Sequence, residues 1–231
     1  MLRVGLTGGL GSGKSTVAAM LREQGAYIIE ADALGRALME PGQEVYGQIV
    51  QHFGPGVLKS DGHLDRARLA QLAFRDGRVQ ELNAIVHPAT IEAQRLKMDE
   101  IFTRDPAAVA VVESALIFEV LRDAQARGES ESALAQFRRR LDRVVVVTAP
   151  DELKVARYAA RMGPSGAARV AAEADARLRL QHQILDAEKA AQADYVLDNS
   201  GDLAALQAQV TALWKRLRAE SNNSLTKMSL Q

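Results

Sequence analysis

A glycine-rich stretch near the start of the chain has the residue types and spacing of a phosphate-binding loop. It reads Gly-x-x-x-x-Gly-Lys-Ser, from Gly8 through Gly13, Lys14 and Ser15. Glycines let successive backbone N–H groups point inward at phosphate oxygens, and the N-terminus of a following helix adds partial positive charge. In such a loop the lysine reaches the β- and γ-phosphates, and the serine hydroxyl is a ligand of Mg²⁺. The chemistry indicated is therefore the binding or transfer of a nucleotide phosphate.

The residues on either side of this stretch predict the elements that such a loop requires. Residues 2–6 are mostly apolar and predict a short buried strand, and residues 15–21 predict a helix that ends at Gly25. The alternative is a flexible glycine turn before an ordinary helix. A strand, the full motif and a helix in succession favour the phosphate-binding loop.

Asp32 follows a second predicted strand, residues 26–29. In a parallel sheet, functional groups gather at the carboxyl ends of the strands, so Asp32 should project near the phosphate loop. Its carboxylate would then lie near a transferring phosphoryl group. The alternative is that Asp32 caps the helix predicted over residues 33–39. The spacing favours neither interpretation, and both can hold.

Glu113 ends a third predicted strand, residues 107–112, which is apolar enough to be central in the sheet. An acidic residue at this place suits the second carboxylate that organises Mg²⁺ in phosphate-loop enzymes. Here it is glutamate rather than aspartate, one methylene longer. Residues 143–148, with four consecutive valines, and residues 194–197 predict two further strands.

Residues 43–104 look helical throughout, which is more than a crossover between two strands needs. We interpret them as an inserted helical subdomain that could cover a substrate. Within it, His87-Pro88 predicts the start of a long helix with Pro88 near its first turn. From its context alone, His87 is more often a structural hydrogen-bonding residue than a catalyst.

Arginines are concentrated on two predicted helices around a tip at residues 163–166. Guanidinium groups match phosphate by forked hydrogen bonds, so these helices are typical of a lid that closes over a nucleotide. Some of these arginines must instead lie on solvated faces. The trio Arg138-Arg139-Arg140 is interpreted as a solvated helix end rather than a ligand site. The lid arginines are Arg157, Arg161, Arg169, Arg177 and Arg179.

Composition excludes several classes of function. The 231 residues carry 29 basic and 29 acidic side chains, so no overall charge attracts nucleic acid or an anionic membrane. The absence of cysteine excludes a disulfide and a thiol nucleophile. No apolar run approaches a membrane span, and the first strand follows the N-terminus directly, so we expect no signal peptide and a cytoplasmic location.

Six stretches in this order make the chain resemble the dephospho-coenzyme A kinase family. Combined with the phosphate loop, the pairs Ala31-Asp32 and His87-Pro88 are more specific than the loop alone. Leu64-Asp65-Arg66 and Asn199-x-Gly201 add to this. The stretches are LTGGLGSGKSTV at 6–17, EADALGRALMEPG at 30–42, DGHLDRARL at 61–69, NAIVHP at 83–88, RLQHQILDAEK at 179–189 and ADYVLDNSG at 193–201.

The resemblance implies a fold and an activity. The fold is the three-layer α/β fold of P-loop NTPases, with a five-stranded parallel sheet. Its nucleotide-binding core comprises residues 1–42 and 105–231, with a lid at about 157–181, and its helical coenzyme A-binding insertion comprises residues 43–104. The activity is transfer of the ATP γ-phosphate to the ribose 3′-hydroxyl of dephospho-CoA, with Mg²⁺, giving CoA and ADP.

The resemblance also implies roles for residues. Asp32 would be the base, acting with Lys14, Arg161 and Arg179. Ser15 and Glu113 would hold Mg²⁺, and the acceptor would contact Asp32, Leu64, Arg66 and His87. ATP would be bound by Gly8, Gly11, Ser12, Gly13, Lys14, Ser15, Thr16, Asn199 and Gly201.

The chain departs from the family pattern at two places. Where the family usually reads Asp-x-Pro-Leu-Leu-Phe-Glu, residues 113–119 read Glu-Ser-Ala-Leu-Ile-Phe-Glu, without the proline. The stretch from Val120 to Leu141 is also longer than the family leads us to expect, and the sequence assigns it no function.

Two other functions remain open at this point. Another small-molecule kinase of the same fold, for nucleosides or sugars, would use the same carboxylate. A nucleotide-binding regulatory protein would need no base, so Lys14, Ser15 and Asp32 together argue against it. We expect no nucleic-acid or membrane partner, and a monomer or weak homo-oligomer.

Overall fold

A computed structural model describes residues 1–74, 76–129, 132, 134–163 and 165–228. Five parallel strands form one sheet in the order β2-β3-β1-β4-β5. The strands are β1 Leu2–Gly8, β2 Tyr27–Glu30, β3 Val109–Glu113, β4 Arg143–Thr148 and β5 Tyr195–Asp198. The helices are α1 Lys14–Glu23, α2 Ala31–Leu38, α3 Glu44–Phe53, α4 Arg66–Phe74, α5 Val79–Arg104, α6 Ile117–Ala126, α7 Phe137–Arg140, α8 Asp151–Met162, α9 Gly166–His182, α10 Asp186–Ala190 and α11 Leu203–Met228.

The two faces of the sheet are covered because alternate strand residues point in opposite directions. Val145 and Val147 of β4 pack with α1 and α11 in the largest apolar cluster. Val144 and Val146 pack on the other face with residues of α6 and α7. Near-continuous apolar strands of this kind are typical of a parallel sheet buried on both faces. The predicted three-layer α/β fold is confirmed.

The parallel arrangement places the functional ends of β1, β2 and β3 side by side. In the register of the ladder, Leu6 pairs with Glu113, and Glu30 also pairs with Glu113. The residues that follow these strands therefore meet at one edge of the sheet, as the sequence predicts.

The helices between β2 and β3, which the sequence predicts as an insertion, pack around an apolar cluster separate from those on the sheet. Val45, Ile49, Val57, Leu64 and Leu69 are buried there. The division of the chain into a core, an insertion and a lid stays a prediction, and Pro164 of the predicted lid tip lies outside the described residues.

One helix start was predicted wrongly. We expected a helix to begin at Pro88, but α5 runs from Val79 and contains Pro88 in its interior. A proline there removes one backbone hydrogen bond. The helix continues because both of its halves are packed: Ile85 lies against the apolar cluster of the insertion, and Met98 lies against the sheet.

Candidate active site

The phosphate loop connects β1 to α1 and requires glycine at two positions. Gly11 and Gly13 have φ angles of 72° and 98°, in the left-handed region that favours glycine. A Cβ at Gly11 would lie 2.3 Å from the carbonyl oxygen of Lys154, and one at Gly13 would lie 2.1 Å from Nδ2 of Asn199. The first turn of α1 carries no acidic residue. The loop and the helix N-terminus therefore form an anion-binding site.

Side chains from distant parts of the chain hold this loop in shape. Asn199 Nδ2 donates a 2.8 Å hydrogen bond to the carbonyl oxygen of Ser12, and the backbone N–H of Leu10 donates to Gln183 Oε1 at 3.0 Å. The buried Lys154 ammonium lies 2.8 Å from both Asp151 and Asp186. Asn199 was predicted to border adenine, and in this structure its amide supports the loop. Gly201, predicted beside it, is exposed.

Lys14 lies at the first position of α1 and turns back over the loop. Its ammonium donates to the carbonyl oxygens of Gly8 and Gly9, both at 3.0 Å. Burial lowers the pKa of Lys14 from 10.5 to about 8, although the nearby Glu113 carboxylate acts in the opposite direction. The cation is poorly solvated in this state, so a bound anion would be its natural partner.

This pKa shift predicts how stability depends on pH. Between pH 8 and 10.5 the unfolded chain keeps the Lys14 proton and the ATP-free native protein has lost it. The unfolded state thus binds more protons, and stability should rise with pH in this window. Relative to Lys14→Met, the wild-type free energy of unfolding should gain about 1–3 kcal/mol from pH 8 to 10. Urea unfolding at several pH values measures it, and Lys97→Met on the exposed face of α5 controls for net charge. If the difference in unfolding free energy between wild type and Lys14→Met stays constant or falls as the pH rises, the lowered pKa of Lys14 is contradicted.

Ser15 and Glu113 meet across the end of the sheet. The Ser15 hydroxyl donates to Glu113 Oε1 at 2.7 Å, so the extra methylene of glutamate still reaches the loop. Hydroxyl and carboxylate oxygens are ligands that Mg²⁺ accepts. Within the described residues, no group of three or more His, Cys, Asp and Glu could hold a metal ion. Mg²⁺ in kinase sites uses one or two protein ligands together with substrate phosphates, so the donor set fits that cation.

Two cavities meet at Asp32. The loop cavity, of about 590 Å³, contains Lys14, Ser15 and Glu113 in its wall, together with the exposed Thr16. The insertion cavity, of about 290 Å³, lies between α2, α5 and the start of α6. Both cavities are lined by Asp32, Arg36 and Ser114.

Asp32 is not the N-cap of its helix. The cap position of α2 is Glu30, and Asp32 lies in the first turn. A carboxylate there is still favourable for the helix dipole. The alternative that Asp32 caps this helix is therefore wrong. The Asp32 carboxylate instead lines the junction of the two cavities.

His87 lies on α5 in the wall of the insertion cavity. Burial lowers the pKa of His87, so the ring is neutral at pH 7. Its Nδ1 is buried and has no hydrogen-bond partner in the described part of the chain. A buried ring nitrogen without a partner is rare in a purely structural histidine, and here it lies beside an open space.

The arginines predicted for a lid have different positions. Arg157 and Arg161 of α8 line the loop cavity, whereas Arg179 is not among its described lining residues. Arg179 lies on α9, where its Nε donates to Asp175 at 2.8 Å and its guanidinium stands 5.8 Å from the Tyr158 ring. Arg157 Nη1 is buried without a partner among the described residues. Arg157 was named in the sequence only as a lid residue, and the structure makes it a candidate for phosphate binding.

Leu64 and Arg66 lie away from this junction. They line a third cavity of about 420 Å³, which shares Met39 with the insertion cavity. The Leu64 side chain is buried in the apolar cluster of the insertion, and Arg66 lies 3.2 Å from Glu40.

The interpretation of the basic trio as a solvated helix end is wrong for one member. Arg138 and Arg139 are exposed, but Arg140 lines the insertion cavity. No local pattern indicates this, because the packing of the short helix α7 against α6 decides which of the three arginines turns inward.

This α/β fold and its phosphate loop define a class of protein, the P-loop kinases. Comparison with known proteins identifies the family. A family model described as dephospho-CoA kinase matches residues 2–205. The chain belongs to the dephospho-CoA kinase family, whose members are ATP-dependent kinases.

Individual relatives agree with this assignment over most of their length. A dephospho-CoA kinase of Moorella thermoacetica is 38% identical over 219 residues, which are 94% of this chain and 93% of the relative. One from Symbiobacterium thermophilum is 41% identical, covering 92% of this chain and 80% of the relative. A crystal structure of a Thermus thermophilus protein is 32% identical with a TM-score of 0.67, covering 93% of this chain and 96% of that one.

Within the described residues, no helix is both long and apolar enough to span a membrane.

Proposed function

We propose that this protein transfers the γ-phosphate of ATP to the ribose 3′-hydroxyl of dephospho-CoA, giving CoA and ADP. Membership of the dephospho-CoA kinase family supports the substrates. The observation that carries the chemistry is the position of Asp32, which lines both the loop cavity and the insertion cavity. A donor bound at the phosphate loop and an acceptor bound beside α5 would meet at this carboxylate.

The donor would be held by the phosphate loop. Its backbone N–H groups and the N-terminus of α1 supply partial positive charge, and Lys14 supplies a full charge. The two backbone carbonyls that now accept from Lys14 would be exchanged for β- and γ-phosphate oxygens. Arg157 and Arg161 reach the same cavity from α8 and would neutralise charge on the transferring group. Roles for Arg179, Asn199 and Gly201 at the nucleotide stay predictions.

The acceptor hydroxyl would be oriented by Asp32. A ribose hydroxyl is a poor nucleophile at neutral pH, and a carboxylate within hydrogen-bond reach can take its proton as the bond to phosphorus forms. The proton passes to Asp32 Oδ, and the ADP oxygen leaves. The insertion supplies the acceptor wall, with His87 in it, and Leu64 and Arg66 farther along at the third cavity.

Mg²⁺ would be held by Ser15 and Glu113. When bound with ATP it would neutralise charge on the nucleotide phosphates. The 2.7 Å hydrogen bond between the two side chains supports this pair, because it places both oxygens at one point of the loop cavity.

Replacing Glu113 tests the proposed metal pair. Glu113→Gln should raise the Mg²⁺ concentration needed for half-maximal activity by about tenfold or more, because a neutral amide is a weaker ligand and a weaker partner of Ser15. Titration of Mg²⁺ at saturating ATP measures this. Glu23→Gln, an exposed substitution on α1, is the control. An unchanged Mg²⁺ requirement in Glu113→Gln would remove Glu113 from the site.

Replacing His87 tests the acceptor side. His87→Ala should raise KM for dephospho-CoA by about tenfold, the loss of one well-placed hydrogen bond, and change KM for ATP by less than about twofold. Steady-state kinetics with each substrate varied separately gives both values. His52→Ala is the control, since His52 lies on the same insertion but is exposed. Unchanged kinetics toward dephospho-CoA would leave His87 with a structural role only.

An ADP-release assay tests the proposed function. Dephospho-CoA, adenosine, nucleoside monophosphates and shikimate are compared as acceptors, with and without Mg²⁺. Dephospho-CoA should give the highest kcat/KM, and removal of Mg²⁺ should abolish turnover. A higher kcat/KM for a nucleoside, or for another small hydroxyl compound, would favour a different kinase of the same fold. The cytoplasmic location and a monomeric or weakly oligomeric state stay predictions from the sequence.

A further inference from the structure

The stretch from Val120 to Leu141 has no role in the function proposed above, yet both of its ends reach the insertion cavity. Val120 on α6, and Arg140 and Leu141 at the end of α7, line it. Between them the chain packs against the insertion, because buried Ala124 and Leu134 form an apolar cluster that contacts Ile91 of α5. The described residues at the two ends of this stretch therefore form one wall of the cavity.

The end of this wall is held firmly. Phe137 of α7 is buried, and its ring meets that of Phe118 edge to face at a centroid distance of 5.5 Å. Leu141, directly after Arg140, is 2% exposed in the same cluster. Asp142 then pairs with Arg3 of β1 at 2.7 Å. Arg140 thus has buried or paired residues on both sides, which fix where its side chain can go.

Arg140 gives the cavity a positive charge of its own. Burial lowers the pKa of Arg140 to about 10, so the guanidinium is still protonated at neutral pH. The other charged residues of the described lining, Asp32 and Arg36, stand at the junction with the loop cavity. Arg140 is therefore the cation that belongs to the insertion cavity alone among the described residues.

We propose that Arg140 binds a phosphate of the acceptor and makes the insertion cavity selective for phosphate-bearing acceptors. The proposal rests on the proposed function, since dephospho-CoA carries a diphosphate between its nucleoside and its pantetheine arm. A partly buried guanidinium suits this group, because it offers forked hydrogen bonds to two phosphate oxygens and keeps its charge on burial. The long segment between β3 and β4 would thereby act as part of the acceptor site.

Binding of dephospho-CoA to Arg140 variants tests this without turnover. The loop cavity is first filled with a non-hydrolysable ATP analogue and Mg²⁺, and dephospho-CoA is titrated calorimetrically. Arg140→Gln should raise Kd for dephospho-CoA by about 10- to 100-fold, the usual worth of hydrogen bonds to a charged group. Arg140→Lys, which keeps the charge but loses the fork, should raise Kd by less. Arg139→Gln, which removes the same charge from the exposed neighbour, should change Kd by less than about twofold.

Adenosine, which has the same 3′-hydroxyl but no phosphate, separates a phosphate contact from a structural role. The Kd of adenosine, measured by competition with dephospho-CoA, should be the same in wild type and Arg140→Gln. A loss of affinity for both ligands, or for neither, would overturn the proposal. If Arg140→Gln does not fold, Arg140→Lys takes its place in the test. An unchanged Kd for dephospho-CoA in Arg140→Lys would then overturn the proposal, whereas a raised Kd with unchanged adenosine binding would support it. If wild type binds dephospho-CoA through Arg140 but releases no ADP when ATP replaces the analogue, only the proposed function is contradicted. Wild type that does not bind dephospho-CoA would overturn both.

Discussion

Replacing Lys14 with alanine should lower kcat by at least about a hundredfold while the protein stays folded, the effect of removing one preorganised electrostatic donor. The Lys14 ammonium lies over the phosphate loop, 3.0 Å from two of its carbonyl oxygens, and its pKa is lowered to about 8 by burial. A cation held in this way is prepared for the charge that develops on the β- and γ-phosphate oxygens.

The Lys14→Ala measurement needs evidence of folding beside the rate. Circular dichroism should stay close to wild type and the melting temperature should not fall. Among the described residues, Lys14 donates hydrogen bonds only to the loop carbonyls of Gly8 and Gly9, and burial of its charge costs the native state stability at neutral pH. Lys97→Ala, on the exposed face of α5, controls for the loss of a positive charge. Turnover near the wild-type rate in a folded Lys14→Ala protein would contradict the assignment of the phosphate loop.

Replacing Asp32 with asparagine should also lower kcat by about a hundredfold or more, the usual worth of a general base. The substitution keeps the size of the side chain and removes its charge and basicity. Affinity for ATP should change little, because the phosphate loop and α1 hold the nucleotide. The melting temperature should also change little, because Asp32 is not the cap of α2 and contributes only a first-turn charge.

A control separates the role of Asp32 in the reaction from its effect on the helix. Glu44→Gln removes an exposed first-turn carboxylate from α3 and should affect only stability, by less than about 1 kcal/mol. Measuring kcat, nucleotide affinity and melting temperature on both variants gives the comparison. If kcat survives in Asp32→Asn, the base must be sought elsewhere, and Glu113, another carboxylate of the loop cavity, is the next candidate.

The sequence predicted the sheet because the strands carry local signals. The four valines of β4 gave its bounds at residues 143–148 as the structure has them, and the other four strands were found within two residues at each end. The helices were less predictable where packing decides. Pro88 is held inside α5 by apolar contacts on either side. The final helix runs to Met228, and its Ser221 is buried, with the hydroxyl donating to the carbonyl oxygen of Ala107 at 2.8 Å.

The site was predictable where it follows from a motif or from strand order. Lys14, Ser15, Asp32 and Glu113 line one cavity, as expected when parallel strands end at the same edge. Gln183 and Arg140 were missed, because their places depend on contacts between elements that are far apart in the sequence. Gln183 accepts from Leu10 in the loop, and Arg140 turns into a cavity whose other wall is α5. No local pattern in the sequence indicates either contact.

Identification of the product tests the central proposal most directly. The protein is incubated with dephospho-CoA, ATP and Mg²⁺, and the products are separated and examined by mass spectrometry and ³¹P NMR. We expect one equivalent of ADP for each acceptor phosphorylated, and an acceptor that has gained one phosphate on the ribose 3′-oxygen and is indistinguishable from CoA. Release of ADP without a phosphorylated acceptor, or a phosphate on any other oxygen of dephospho-CoA, would contradict the account.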